Sequence, residues 1–192
     1  MSNIDLESSV ETVVSSIEIV APEQNRNSLQ VKAISKADLP KFGEPEGKIT
    51  VHLKLDGETA VNWVPLYEMN KHISNLVDVE EVVLAAESAT LLLSYPLKKS
   101  AVRLVHPTNS KEFTRGDLAK IIEETYREVY RLEAVSQAVT DSYLNDRGNL
   151  YNKPESDGVF GIWGHDMYDL SIAFINVYNV NGRYWIDPAM NS

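Results

Sequence analysis

Residues 161–170 are the one segment of this sequence whose composition is unusual enough to suggest chemistry. They read Gly-Ile-Trp-Gly-His-Asp-Met-Tyr-Asp-Leu, which places an imidazole, two carboxylates and two aromatic rings between a polar loop and an apolar strand. An imidazole titrates near neutral pH and serves as a general base when a carboxylate fixes its tautomer. His165 with Asp166 or Asp169 is therefore a candidate catalytic group of a small hydrolase or a metal-dependent enzyme.

The backbone and the ligand spacing both limit this catalytic hypothesis. Neighbouring side chains on an extended chain point to opposite faces, so Asp166 is badly placed to orient His165, and Asp169 or Asp187 is better placed. A His/Asp metal site lacks a second ligand at a recognisable spacing such as His-x-x-x-His. The glycines of residues 158–164 do not match a phosphate-binding loop, and no nucleophile elbow occurs. The sequence therefore predicts no metal site and no cofactor.

Two further interpretations of residues 161–170 stay open. In the structural one, Trp163 fills the core, and Asp166 caps a single helical turn with Asp169 at its third position. In the other, Trp163 and Tyr168 form a binding surface, because aromatic side chains are enriched where proteins bind one another. The sequence does not decide between a structural, a catalytic and a binding role.

The same segment also resembles a known signature. Gly161-Ile162-Trp163-Gly164-His165-Asp166-x-x-Asp169-Leu170, followed by a strand, is similar to a motif of uncharacterised proteins of large DNA viruses and their protist or algal hosts. The resemblance covers residues 158–178. It implies a viral or protist origin and brings no activity with it.

The elements on either side must position this segment. After it, apolar residues alternate from Leu170 to Tyr178, and the chain returns from Arg183 to Pro188 beyond an Asn181-Gly182 turn, so we expect a carboxy-terminal hairpin. Before it, the spacing predicts one long helix over residues 114–136, with Thr114 and Asp117 as a capping box. Its predicted apolar face comprises Leu118, Ile121, Ile122, Val129, Leu132 and Val135. Its predicted wet face carries the pairs Glu123–Arg127 and Glu128–Arg131.

The remaining apolar runs indicate strands. Residues 49–55 and 59–66 predict a hairpin around Asp56-Gly57, residues 82–97 two short strands or one bent strand, and residues 100–106 another. Residues 1–27 predict a flexible or partner-binding tail, and residues 140–161 a long polar loop. We expect a single α+β domain over residues 28–192, with a mainly antiparallel sheet of six to eight strands and one long helix packed on a face.

Composition narrows the class of protein. The chain has 192 residues and no cysteine, which excludes disulfides, thiolate metal sites and cysteine nucleophiles. The net charge of −10 argues against nucleic acid as a partner, and no apolar run reaches the length that spans a bilayer. The expected location is the cytoplasm. In the absence of a complete catalytic set, we expect a non-enzymatic protein-interaction or assembly protein that binds a protein partner or itself.

Overall fold

The computed structural model describes residues 29–54, 61, 63–67, 69–108, 111–137 and 155–192. Its strands are β1 (Lys32–Ile34), β2 (Gly47–Thr50), β3 (Val64–Pro65), β4 (Val82–Leu84), β5 (Ala89–Leu93), β6 (Ser100–Val105), β7 (Phe113–Thr114), β8 (Ser171–Val180) and β9 (Arg183–Asn191). Its α-helices are α1 (Met69–His72) and α2 (Arg115–Ser136), and short 3-10 turns lie at Lys36–Asp38, Ile73–Asn75 and Met167–Asp169. The predicted tail over residues 1–27, the Asp56-Gly57 turn and most of the predicted polar loop lie outside the described residues.

One seven-stranded sheet organises the fold. Its strands run in the order β1-β6-β5-β9-β8-β2, and β3 pairs with β8 beside β2. All of these pairs are antiparallel except β5 with β9, which run parallel with Leu91 opposite Ile186. Strands β4 and β7 form a separate antiparallel pair. The structure thus confirms the predicted α+β class with a mainly antiparallel sheet.

The carboxy-terminal hairpin forms as the sequence predicts. Strands β8 and β9 pair from Val180 opposite Arg183 to Ser171 opposite Asn191, with one irregularity after Ile172. Asn181 and Gly182 connect them with φ angles of 54° and 78°, the left-handed conformations that a two-residue turn of this hand requires. Strand β9 extends beyond the predicted end at Pro188 and occupies the middle of the sheet.

Helix α2 begins at the predicted capping box and packs on the sheet. The Thr114 hydroxyl accepts a hydrogen bond from the Asp117 N–H at 3.1 Å, and the Asp117 carboxyl accepts one from the Thr114 N–H at 3.2 Å. The buried stripe of the helix contains Leu118, Ile122, Tyr126 and Val129, all fully buried. The Tyr126 hydroxyl donates to the backbone carbonyl of Tyr95 at 2.5 Å, which ties the helix to the segment that follows β5.

The predicted faces of α2 are wrong at Val135 and Glu123. Val135 is 68% exposed, so the apolar stripe ends before the last turn, whereas Glu133 is buried. Glu123 does pair with Arg127, but its side chain is buried rather than on the wet face. The second pair, between Glu128 and Arg131, forms as the sequence predicts. The helix therefore buries two carboxyl groups, those of Glu123 and Glu133.

The amino-terminal strands find a different partner from the predicted one. Leu53 does bridge to Val61, as a hairpin requires, but β2 and β3 both pair with β8. Residues 82–97 form two short strands, as one of the two predicted alternatives states, and these strands belong to different sheets. The strand predicted at residues 100–106 is confirmed as β6.

Candidate functional site

Residues 161–170 directly precede β8 and include the 3-10 turn Met167–Asp169. Asp166 caps the 3-10 turn Met167–Asp169, and each of Asp166 and Asp169 accepts a hydrogen bond from the other's backbone N–H. The bond from the Asp166 N–H to the Asp169 carboxylate measures 2.9 Å. The predicted cap by Asp166, with Asp169 at the third position of the turn, is therefore confirmed. Both carboxylates of the catalytic hypothesis serve this local turn.

A buried carboxyl group from α2 holds the chain just before this segment. The Glu133 side chain is only 2% exposed and accepts hydrogen bonds from the N–H groups of Phe160 at 2.7 Å and Gly161 at 3.1 Å. The Ser156 hydroxyl donates to the same carboxyl group. A Cβ atom at Gly158 would lie 2.4 Å from Glu133 Cδ, so only glycine fits there without movement. Glu133 is thus the support that fixes the approach to residue 161.

The sequence contained a signal for this support. Glu133 follows the buried Val129 by four residues, and a helix places side chains four apart on one face. A charged residue on an apolar stripe needs hydrogen-bond partners, and a Gly-rich loop offers backbone N–H groups. The sequence analysis assigned Glu133 no role and therefore did not predict this support.

Trp163 does not fill the core, so this part of the structural interpretation is wrong. Its side chain is 40% exposed, whereas its neighbours Phe160 and Ile162 take the buried positions. The Trp163 N–H donates to the carbonyl of Pro96 at 3.1 Å, which fixes the backbone. The indole meets the Tyr95 ring edge-on, with 5.1 Å between ring centroids. The indole is thus held at the surface by a neighbouring aromatic ring.

His165 lies beside this pair of rings and faces a hydroxyl group. Its ring centroid is 5.5 Å from that of Tyr95 and 5.9 Å from that of Trp163. Its Nε2 atom is 3.4 Å from the Ser192 hydroxyl oxygen, which lies 2.7 Å from the Tyr95 hydroxyl oxygen. The side chains of His165, Ser192 and Tyr95 therefore lie in one row of hydrogen-bonding groups. The sequence analysis did not indicate Ser192 or Tyr95 as members of this site.

The charges of Asp166 and Asp169, the predicted partners of His165, affect the pKa of Tyr130. The Tyr130 hydroxyl of α2 donates to the backbone carbonyl of His165 at 2.9 Å. Burial raises the pKa of Tyr130, and the charges of Asp166 and Asp169 raise it further. Asp187, the other proposed orienting residue, lies opposite Asn176 in the middle of the sheet, and burial raises its pKa to about 6.

Tyr168 is the most exposed ring of the segment. Its side chain is 65% exposed, and it stacks on Tyr67 with 3.7 Å between centroids and 34° between ring planes. The backbone is anchored on either side, because Met167 is buried and Leu66 N–H donates to the Leu170 carbonyl at 2.8 Å. Two ring clusters lie along this segment, Tyr67 with Tyr168 and Tyr95 with Trp163 and His165, and we call them together the aromatic surface.

The fold and the site define an α+β protein that presents fixed aromatic side chains beside a capped turn. Among the described residues, no group of three or more His, Asp or Glu side chains could hold a metal ion. In the same part of the chain, no helix is long and apolar enough to cross a membrane. Comparison with family models, curated proteins and solved structures finds no match to this chain. The resemblance of residues 158–178 to viral and protist proteins stays a prediction.

Proposed function

We propose that this chain is a non-enzymatic interaction protein that binds a protein partner through the aromatic surface. One observation carries the proposal: Trp163 and Tyr168 are 40% and 65% exposed although hydrogen bonds fix the backbone on either side of them. A folded chain gains stability by burying such rings, so rings held outside the core are available to another surface. The viral origin and the cytoplasmic location remain predictions of the sequence.

The energetics of protein association favour exposed aromatic rings as a binding surface. Trp and Tyr are over-represented among the few residues that dominate interface energies, where truncation to alanine costs about 2 kcal/mol or more. Rings that are already oriented lose little conformational freedom on contact, which lowers the cost of association. The stacking of Tyr168 on Tyr67 and the contact of Trp163 with Tyr95 provide this orientation.

Affinity capture with matched variants tests the proposal. The full chain is used to capture proteins from cells of its source, beside Trp163→Ala, Tyr168→Ala and the control Leu104→Ala. Leu104 is 63% exposed on β6, so its truncation also removes exposed apolar area. We expect one partner to be retained by the wild type and the control and lost by the two ring variants, with unchanged melting temperatures. Retention of every partner by both ring variants would exclude the aromatic surface as the binding site.

Self-association is a separate outcome of the same variants. Light scattering over a dilution series measures the mass of the wild-type chain in solution. A dimer that Trp163→Ala dissociates would identify the partner as a second copy. A dimer unaffected by both ring variants would place self-association on another surface.

A small hydrolase is the second candidate, and one observation favours it. The His165 imidazole lies within 3.4 Å of the Ser192 hydroxyl oxygen, a pairing that activates serine nucleophiles in hydrolases. Hydrolysis of p-nitrophenyl esters by the wild type, lost in both His165→Ala and Ser192→Ala with an unchanged melting temperature, would support it. A wild type without esterase activity, or an activity that survives His165→Ala, removes this candidate.

A further inference from the structure

The ring cluster of Tyr95, Trp163 and His165 lies beside a row of hydrogen-bonding groups. The planes of the Tyr95 and Trp163 rings are nearly perpendicular, at 82°, and Trp163 is 40% exposed. The Ser192 hydroxyl oxygen lies 2.7 Å from the Tyr95 hydroxyl oxygen and 3.4 Å from His165 Nε2. We call these three rings together with Ser192 the Trp163 site. It combines apolar ring area with hydroxyl and imidazole groups.

The Trp163 site keeps at least two hydrogen-bond donors unused. Tyr95 and Ser192 each carry one O–H, and the imidazole of His165 carries at least one N–H, so the row holds at least three polar hydrogens. The two contacts within the row use two of them, whichever group donates. One donor of the row is therefore left over in either tautomer of His165. The indole N–H of Trp163 is the second, because no described residue accepts a hydrogen bond from it.

Backbone hydrogen bonds hold the Trp163 site in place before a ligand binds. The Trp163 N–H donates to the Pro96 carbonyl at 3.1 Å, and the Tyr130 hydroxyl donates to the His165 carbonyl at 2.9 Å. Side chains on a fixed backbone lose little conformational freedom on contact. A ligand that is itself stiff would therefore keep the entropic cost of binding low on both sides.

The chemistry of the Trp163 site selects among possible ligands. A proline-rich segment fits it, because pyrrolidine rings are apolar, proline has no N–H, and the carbonyls of polyproline II have no partner within the segment. Proline also adds no negative charge, which a chain of net charge −10 would repel. Sugars are generally held by amide or carboxylate side chains that bind two adjacent hydroxyls, whereas the polar groups in the row are two hydroxyls and an imidazole.

We propose that the Trp163 site binds a proline-rich segment of a partner protein in the polyproline II conformation. Pyrrolidine rings lie against Trp163 and Tyr95, and backbone carbonyls of the segment accept hydrogen bonds from the indole N–H and the hydroxyl row. Aromatic-lined sites are a general means of binding such segments. The proposal rests on the proposed function, since it names the chemistry of the partner at one of the two ring clusters.

Peptide titration tests this chemistry. The probes are fluorescein-labelled peptides of about ten residues, one of proline alone and one of alternating glycine and serine, titrated with the full chain by fluorescence anisotropy. We expect the proline peptide to bind at least about tenfold more tightly, because its conformation is already fixed and it presents apolar rings. Equal affinity for the two peptides would overturn the proposal. Binding of maltohexaose in calorimetry, with no binding of the proline peptide, would also overturn it.

Matched variants show where the proline peptide binds. Trp163→Ala should weaken its binding about tenfold or more. Tyr95→Phe keeps the ring and removes only the hydroxyl, so it should weaken binding about two- to tenfold. Trp63→Ala is the control, since Trp63 is 51% exposed elsewhere on the surface, and it should change the affinity less than about twofold. Losses no larger than that of the control in both site variants would refute the Trp163 site.

The outcomes distinguish this inference from the proposed function. A captured partner that needs Trp163 but is not displaced by excess proline peptide would leave the interaction surface standing and refute the proline chemistry. Binding of the proline peptide that needs Trp163, together with capture that both ring variants retain, would support the peptide chemistry and refute the proposed function.

Discussion

The carboxyl group of Asp187 should make the stability of this protein depend on pH. Asp187 lies on the central strand β9 opposite Asn176, and the neighbouring Trp185 on β9 contacts Phe42 with 5.4 Å between ring centroids. Among the described residues, no lysine or arginine forms an ion pair with this carboxyl group. Burial raises its pKa from 3.8 to about 6, because the ionised form loses hydration without gaining a partner.

The sign and the size of the effect follow from this pKa. The folded state holds the proton more tightly than the unfolded state, so the stabilisation is complete below about pH 4 and is lost as the pH rises through about 6. A shift of about two units corresponds to about 3 kcal/mol, and partial exposure of the side chain reduces this to about 2 kcal/mol. Asp187→Asn removes the titration, so we expect the variant to gain about 2 kcal/mol relative to the wild type between pH 4 and pH 7.5.

Urea unfolding followed by circular dichroism measures this difference. The unfolding free energies of wild type and Asp187→Asn are compared at several pH values between 4 and 7.5, so that all other titrating groups cancel. Asp38→Asn, an exposed aspartate, is the control and should give a difference that does not change with pH. A constant difference between Asp187→Asn and the wild type over this range would refute the assignment of a desolvated carboxyl group to this position.

Three further substitutions test the supports of the site. Glu133→Gln should lower the free energy of unfolding by about 1–3 kcal/mol, because an amide NH₂ group would face one of the N–H donors of residues 160–161. Faster hydrogen exchange at those N–H groups would confirm this prediction, and unchanged exchange would contradict it. Gly158→Ala should lower the free energy of unfolding by about 1–3 kcal/mol, because its Cβ would overlap the Glu133 carboxyl group. In urea unfolding, the double variant with Glu133→Ala should lose less stability than the sum of the two single variants, and purely additive losses would argue against the overlap. Thr114→Ala should cost about 1 kcal/mol through loss of the cap of α2, whereas Thr114→Ser should cost less; equal losses in urea unfolding would show that the hydroxyl contributes nothing.

Local signals predicted the elements whose ends are set by nearby residues. The Thr114–Asp117 capping box, the Asn181-Gly182 turn and the cap by Asp166 all depend on residues within three positions of one another. Sequence therefore contains nearly all of the information that determines these features.

Such local signals cannot predict the pairing of strands that are distant in sequence. The parallel contact of β5 with β9 joins residues almost a hundred positions apart, and alternation of apolar residues does not specify a partner strand. The exposure of Trp163 was missed for a related reason. Its hydrophobicity suggested the core, but Phe160 and Ile162 occupy the buried positions next to it, and only the three-dimensional path of the chain decides which of the three points inward.

The position of β8 has a consequence for how the chain folds. Strands β2 and β3 both pair with β8, which is synthesised more than a hundred residues after β3. Until β8 is available, their N–H and C=O groups have no partner in this sheet, and unpaired strand edges invite association with other chains. Sheet closure thus requires a slow search between distant segments, and a ribosome-bound chain that stops before Ser171 should be the species most dependent on chaperones.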